Sequence, residues 1–270
     1  MKNFGLIVYG PFKIGSALQK LAQVKNLVSL SLLALVISFS LSAKAHEFSN
    51  EAGCLKEELV ADVLKDFDLQ FSESAENMKI ESCNPQSLSY RIVLALLYIK
   101  HGEYNPGKAS TDQAFENLFA TMSPYSFVKH YIKTVKINDC KSVNYAWAYA
   151  VSNHDDINIC AKKMLEWDRA SSKKISAIRI ASLIVHEVRH IDPSVPDHKS
   201  AEGCFKCDTS VEAKGAYFYE KEFLYNVHKY GKNFSAQERN DARYWAEFIL
   251  DKNFIKRATL LRPMGRYPQQ

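Results

Sequence analysis

His186 and His190 stand four residues apart, with Glu187 directly after the first histidine. If that stretch is helical, the two imidazoles lie one turn above each other and face a common point, where both can ligate one metal ion. Glu187 then points to the neighbouring side, placed to take a proton from an attacking water. Two neutral histidines leave such a site cationic, which lowers the pKa of water there. The chemistry this spacing implies is metal-assisted hydrolysis.

The elements around the motif support that reading. Ser171 and Ser172 are read as capping a helix that runs to about Ile191, before Pro193 and Pro196 stop it. Its apolar positions, Ile175 through Val188, cover more than one face, as expected of a central buried helix. Upstream, Leu88–His101 reads as a mostly buried helix ending at Gly102, and Asn105-Pro106-Gly107 as a turn. Helical patterns follow at Thr111–Met122 and from Pro124 toward Ile132. Tyr145–Val151 and Ile157–Cys160 read as two short strands joined by a polar turn. A polar loop from Asp197 to Asp208, helices from about Ser210 to Tyr230 and from about Ser235 to Asp251, and a tail from Lys256 complete the chain.

With its surrounding helix, the His186-Glu187-Val188-Arg189-His190 motif resembles the zincin metallopeptidases. The likeness covers Lys173–Asp192 well and the next forty residues loosely, and departs from the family at the charged Arg189 and Asp192. It implies an α+β, predominantly helical fold with a small sheet beside the active-site helix, Zn2+ as cofactor, and a peptide or protein substrate, cell-wall peptide included. It also implies that the INIC segment, Ile157–Cys160, is an edge strand that binds extended substrate by strand addition. Pro193 and Pro196 stand where metzincins need Gly and His, so that subclass is excluded. Gluzincins take a third ligand from a second helix, and Glu212, flanked by the small residues 213, 215 and 216, is the matching position. His198, Asp208 and Glu220 are its rivals. Tyr217, Tyr219, Tyr225, His228 and Tyr230 are candidates for holding a developing oxyanion. The segment from Cys207-Asp208 to Tyr217 is also similar to little-characterised secreted bacterial proteins with the same motif.

The first 45 residues read as a signal peptide: lysines without acids, an apolar run from Leu27 to Leu41, and small residues at Ala43 and Ala45. A cut after Ala45 starts the mature chain at His46. An uncleaved anchor is the alternative, although the run is shorter than the ~20 residues a spanning helix needs. The whole chain carries 35 basic and 30 acidic residues. The leader's five lysines account for the excess, so the mature domain is neutral and offers no electrostatic reason to bind nucleic acid. No stable membrane association is expected after cleavage, and the protein is expected in the periplasm or secreted. All six cysteines follow the cut. An even count in an exported chain suggests disulfides; six cysteines permit 15 pairings among which sequence does not choose, and near-neighbour loop closure points to Cys54–Cys83, Cys140–Cys160 and Cys204–Cys207.

The expected organisation is therefore a signal peptide, 1–45, and one metallopeptidase-like domain, 46–270, with a helical layer at 46–140 and a zinc-site core at 141–270. Its expected activity is zinc-dependent peptide hydrolysis, with His186, His190 and Glu212 as ligands and Glu187 as general base. The alternative is a non-catalytic binding protein stabilised by a closed metal site with a fourth protein ligand.

Overall fold

Helix formation here follows from apolar pattern and capping, and the strands from short alternation. A computed structural model describes residues 47–72, 79–103, 122–141, 146–151, 154–171, 174–192, 195, 198–201, 204–210 and 213–255. Helix α1 spans Glu57–Leu64, strand β1 Asp68–Phe71, α2 Leu88–His101, α3 Pro124–Tyr131 and β2 Thr134–Asn138. Next come β3 (Ala148–Ala150), β4 (Asp156–Cys160), α4 (Ala161–Ala170) and α5 (Ala177–Ile191). The hairpin β5 (Lys199–Ala201) and β6 (Cys204–Cys207) leads to α6 (Ala216–Tyr230) and α7 (Ala236–Lys252). The expected combination of helices with a small sheet is present. The leader, the Thr111–Met122 pattern, the Asn105–Gly107 turn and the tail from Lys256 lie outside the described residues.

The main sheet has the order β1-β2-β4-β3. The pairs β1–β2 and β2–β4 are parallel, and β3 runs antiparallel to β4 at the edge. Val135 and Ile137 alternate inward along β2, whereas all five residues of β4 are buried. This corrects two expectations. The stretch 46–140 supplies two strands as well as helices. INIC is an interior strand, and the edge is β3; a strand buried at every position needs neighbours on both sides. The two short strands joined by a polar turn are present, as β3 and β4.

Helix α2 matches its expected bounds, with the Ser87 hydroxyl accepting from Tyr90 N at its start. Its apolar sequence is buried almost throughout, at ~1.5–3 kcal/mol for each large aliphatic side chain. Helix α5 packs against α2, α6 and β3. Its cap is Ser176 rather than Ser171 or Ser172: Ser176 has extended backbone and its side chain accepts from Arg179 N. Arg91 donates to Ile175 O (2.5 Å) and pairs with Asp168, which accepts from Ile175 N (2.8 Å). Residues Ala161–Ala170 form the separate helix α4, and α5 begins at Ala177. Likewise, α6 starts at Ala216 rather than near Ser210, and the expected loop 197–208 contains the hairpin. Helix α7 carries a capping box formed by Ser235 and Glu238.

Two disulfides pair as expected, Cys54–Cys83 and Cys140–Cys160. The second ties the chain just past β2 to the end of the neighbouring β4. Cys207 is also disulfide-bonded; the Cys204 side chain lies outside the described ones. These bonds are consistent with an exported protein. No helix among the described residues is long and apolar enough to cross a membrane.

Candidate metal centre

Helix α5 carries His186 and His190 on one face near its C-terminal end, with their Nε2 atoms 3.2 Å apart. The chain leaves the helix at Asp192, which pairs with Arg189 (2.6 Å). The two charges that depart from the zincin pattern thus neutralise each other. His198, directly before β5, returns to the helix and places its Nε2 3.1 Å from that of His186 and 2.9 Å from that of His190. These three histidines could hold a metal ion. Glu212 lies outside the described residues.

Two of the three rings are held from behind. His198 Nδ1 lies 3.0 Å from Asp208 Oδ1, while Asp208 Oδ2 accepts from Phe218 N (3.1 Å) in the first turn of α6. Asp208 thus braces a histidine through one carboxylate oxygen and caps a helix through the other. Gly215 makes this approach possible, since a Cβ there would fall 2.5 Å from the Asp208 carboxylate. His186 Nδ1 lies 3.0 Å from Glu220 Oε2, an electrostatic contact rather than a hydrogen bond. Glu220 is fully buried, pairs with Arg179 and lies 3.2 Å from the Ser182 hydroxyl.

The carboxylates explain why the cluster suits a cation. A proton on Nδ1, facing Glu220 or Asp208, leaves Nε2 with its lone pair. Three such lone pairs converging within 3.2 Å repel one another unless a cation lies between them. A tetrahedral ion at ~2.0–2.1 Å from each nitrogen wants them about 3.3 Å apart, close to the observed triangle. Burial, followed by the neighbouring His190, His198 and Arg179, pushes the His186 pKa well below 6.5. The ring is thereby kept in its neutral, ligating form.

Glu187 is buried beside these rings. Its Oε2 accepts from Ala150 N (3.1 Å) on the edge strand β3. Burial pushes its carboxyl up to about 7, with the Ala150 N–H acting in the opposite direction. A cleft of about 590 Å³ runs up to His186, Glu187, His190 and His198, bounded on one side by Ala146, Ala148 and Ala150. Tyr217 lines it too, with its ring 4.4 Å from that of His186 and 4.7 Å from that of His198. Burial pushes its hydroxyl up to about 12, so it remains a proton donor at neutral pH.

Of the aromatic candidates on α6, Tyr217 is the one at the cleft. Tyr219 packs on Phe127 and Arg189, Tyr225 on Tyr230, and His228 faces Arg239 O. The sequence does not single out Arg179, and it offers Glu220 as a rival ligand or as a salt-bridge partner for Lys221 or a group near Lys214; in the fold Glu220 pairs with Arg179. A carboxylate amid Tyr217, Phe218, Tyr219 and Phe223 is a usable signal, because a buried charge requires a partner. No protein-family model matches this chain, and neither a curated protein nor a solved structure shows significant similarity to it.

Proposed function

We propose that this protein is an exported, zinc-dependent peptidase in which His186, His190 and His198 hold the metal. The observation that carries this reading is the meeting of three histidine nitrogens and Glu187 at a cleft bounded by an edge strand. Three imidazoles at near-tetrahedral spacing suit zinc. When bound, the ion supplies Lewis acidity toward the scissile carbonyl and lowers the pKa of water. The edge of β3 offers an extended peptide backbone a partner. Glu187, steadied through Oε2 by Ala150, takes the water's proton and passes it to the leaving amine. Tyr217 offers its hydroxyl to the oxygen on which charge develops.

Glu187→Gln tests this role. The variant keeps the shape of the side chain but cannot accept the proton, so zinc content should stay at the wild-type level while peptide hydrolysis falls by ~10²–10⁴. Hydrolysis at the wild-type rate in the metal-loaded variant would remove Glu187 as the base. A zinc-loaded wild type inert toward a broad peptide mixture would leave the non-catalytic alternative.

A further inference from the structure

We propose, on the reading that this site cuts peptide bonds, that the cleft selects a bulky aromatic or aliphatic side chain beside the scissile bond. The wall that would hold it is formed by Trp147, Trp167, Tyr244, Trp245 and Phe248. The chain has only three tryptophans, and all three line this one cleft. Their rings form a continuous run. Trp147 lies 5.1 Å from Trp167 and 6.4 Å from Trp245, and Trp245 lies 5.1 Å from Tyr244 and 5.6 Å from Phe248.

Core packing explains Trp245, which is 6% exposed, and Trp147, which is partly buried against the core, but not the other three. Trp167, Tyr244 and Phe248 come from two different helices and stay 41%, 49% and 41% exposed while facing the same cleft. Contiguous exposed apolar surface of this kind marks a binding surface. The inner end of the wall is fixed in place: the buried Arg179 guanidinium sits 4.8 Å from the Trp245 ring centre and 5.6 Å from that of Trp147. The edge strand and the two residues before it line the same cleft with Ala146, Trp147, Ala148, Tyr149 and Ala150, so the wall and the peptide-binding edge belong to one site.

The lining also decides against a sugar. Aromatic platforms that hold sugars need surrounding groups to satisfy ring hydroxyls, since a buried polar group without a partner is costly. Among the described residues, and apart from the metal-site side chains and the tyrosines, the charged or amide-bearing residues lining this cleft are Arg179 and Lys206. An apolar side chain asks for none of these.

Because every tryptophan borders the cleft, intrinsic tryptophan emission reports its occupancy. Zinc-loaded Glu187→Gln should be titrated with blocked alanine pentapeptides carrying Phe, Leu or Ala at the centre, and with chitotriose. The expected result is binding of the Phe and Leu peptides about 10-fold or more tighter than the Ala peptide. Adding Phe248→Ala or Tyr244→Ala should remove most of that preference, and the same order should appear in cleavage by the wild type. Equal binding of the three peptides, no binding by any, or a preference for chitotriose would overturn the inference. Wild-type cleavage without side-chain preference would sink the specificity while leaving the peptidase reading intact. Selective binding without any cleavage by the wild type would do the reverse.

Discussion

The two flanks of the metal cluster are built by different means. On one flank, His186 and His190 project from α5, a helix buried along nearly its whole length and capped by Ser176. Helical geometry alone sets their spacing. On the other flank, His198 sits at the foot of a two-stranded hairpin and is braced by Asp208, which follows the second strand at the same end. Asp208 is in turn joined to the chain after α7, through Asp208 N to Asn253 O (3.0 Å) and Ile255 N to Asp208 O (3.0 Å). Two ligands are thus placed by local structure and one by contacts between distant segments. The buttresses differ similarly. Glu220 is buried in an ion pair with Arg179, so it bears on the fold as well as on His186. Asp208 bears mainly on the position of His198 and the start of α6.

The largest expected effect comes from removing a ligand. His186→Ala, His190→Ala and His198→Ala should each weaken zinc binding by more than about 100-fold, beyond the range for supporting residues. Glu212→Ala should bind like wild type. Competition with a zinc chelator on the four proteins measures this, and metal loss in Glu212→Ala with retention in His198→Ala would break the assignment of the hairpin flank.

Removing the buttresses should separate the flanks. Glu220→Gln leaves the buried Arg179 without its countercharge, at a cost of about 3–5 kcal/mol in folding stability. Asp208→Asn should weaken zinc binding by about 10–100-fold yet cost the fold only ~1 kcal/mol, the usual worth of a cap. Urea unfolding of the metal-free proteins, alongside chelator competition, reads both quantities. Equal stability losses would show the two flanks to be alike.

Gly215→Ala is a finer probe of the hairpin flank. Its Cβ must displace the Asp208 carboxylate, costing ~1–3 kcal/mol of strain and a several-fold loss in zinc affinity. Chelator competition that finds the variant as tight as wild type would show that Asp208 does not position His198.

Acid should act mainly on the helix flank. Burial lowers the pKa of His186, and more modestly that of His228, below 6.5 in the folded state. The unfolded chain therefore takes up these protons first. Their contribution to stability is complete above pH about 6.5 and is lost as pH falls toward the folded-state values. Glu187, its carboxyl pushed up to about 7, takes up a proton in the folded state over the same range and acts in the opposite sense. The effect is therefore read in metal-free Glu187→Gln, whose urea midpoint should drop between pH about 7.5 and 5.5. Adding His186→Ala should flatten that drop, and an unchanged slope would refute the assignment.

Much of the fold could be read directly. Leu88–His101 was delimited by its apolar run and Gly102, and the last helix by Ser235. The hairpin at 199–207 was hidden because its strands are only three and four residues long, amid lysines, cysteines and small residues. The β1 strand was hidden for the same reason: four residues at a sheet edge leave little periodicity to detect. Tyr145–Val151 was recognisable as a strand, but its place at the edge beside Glu187 depends on pairing with β4, and sequence does not rank neighbours in a sheet.

Sequence alone determined the pair of histidines and the acid between them, because helical periodicity is local and four residues always make about one turn. The cysteine order only favoured pairing of near neighbours, since short loops close at the least entropic cost; the fold chose Cys54–Cys83 and Cys140–Cys160 among the possible pairings. Tertiary structure decided that His198 meets that pair, that Asp208 and Glu220 stand behind the rings, and that three tryptophans far apart in the chain share one cleft. The reason is physical: separation along a loop says nothing about distance in space, and a buried carboxylate reveals its role only through the cation or imidazole packed against it.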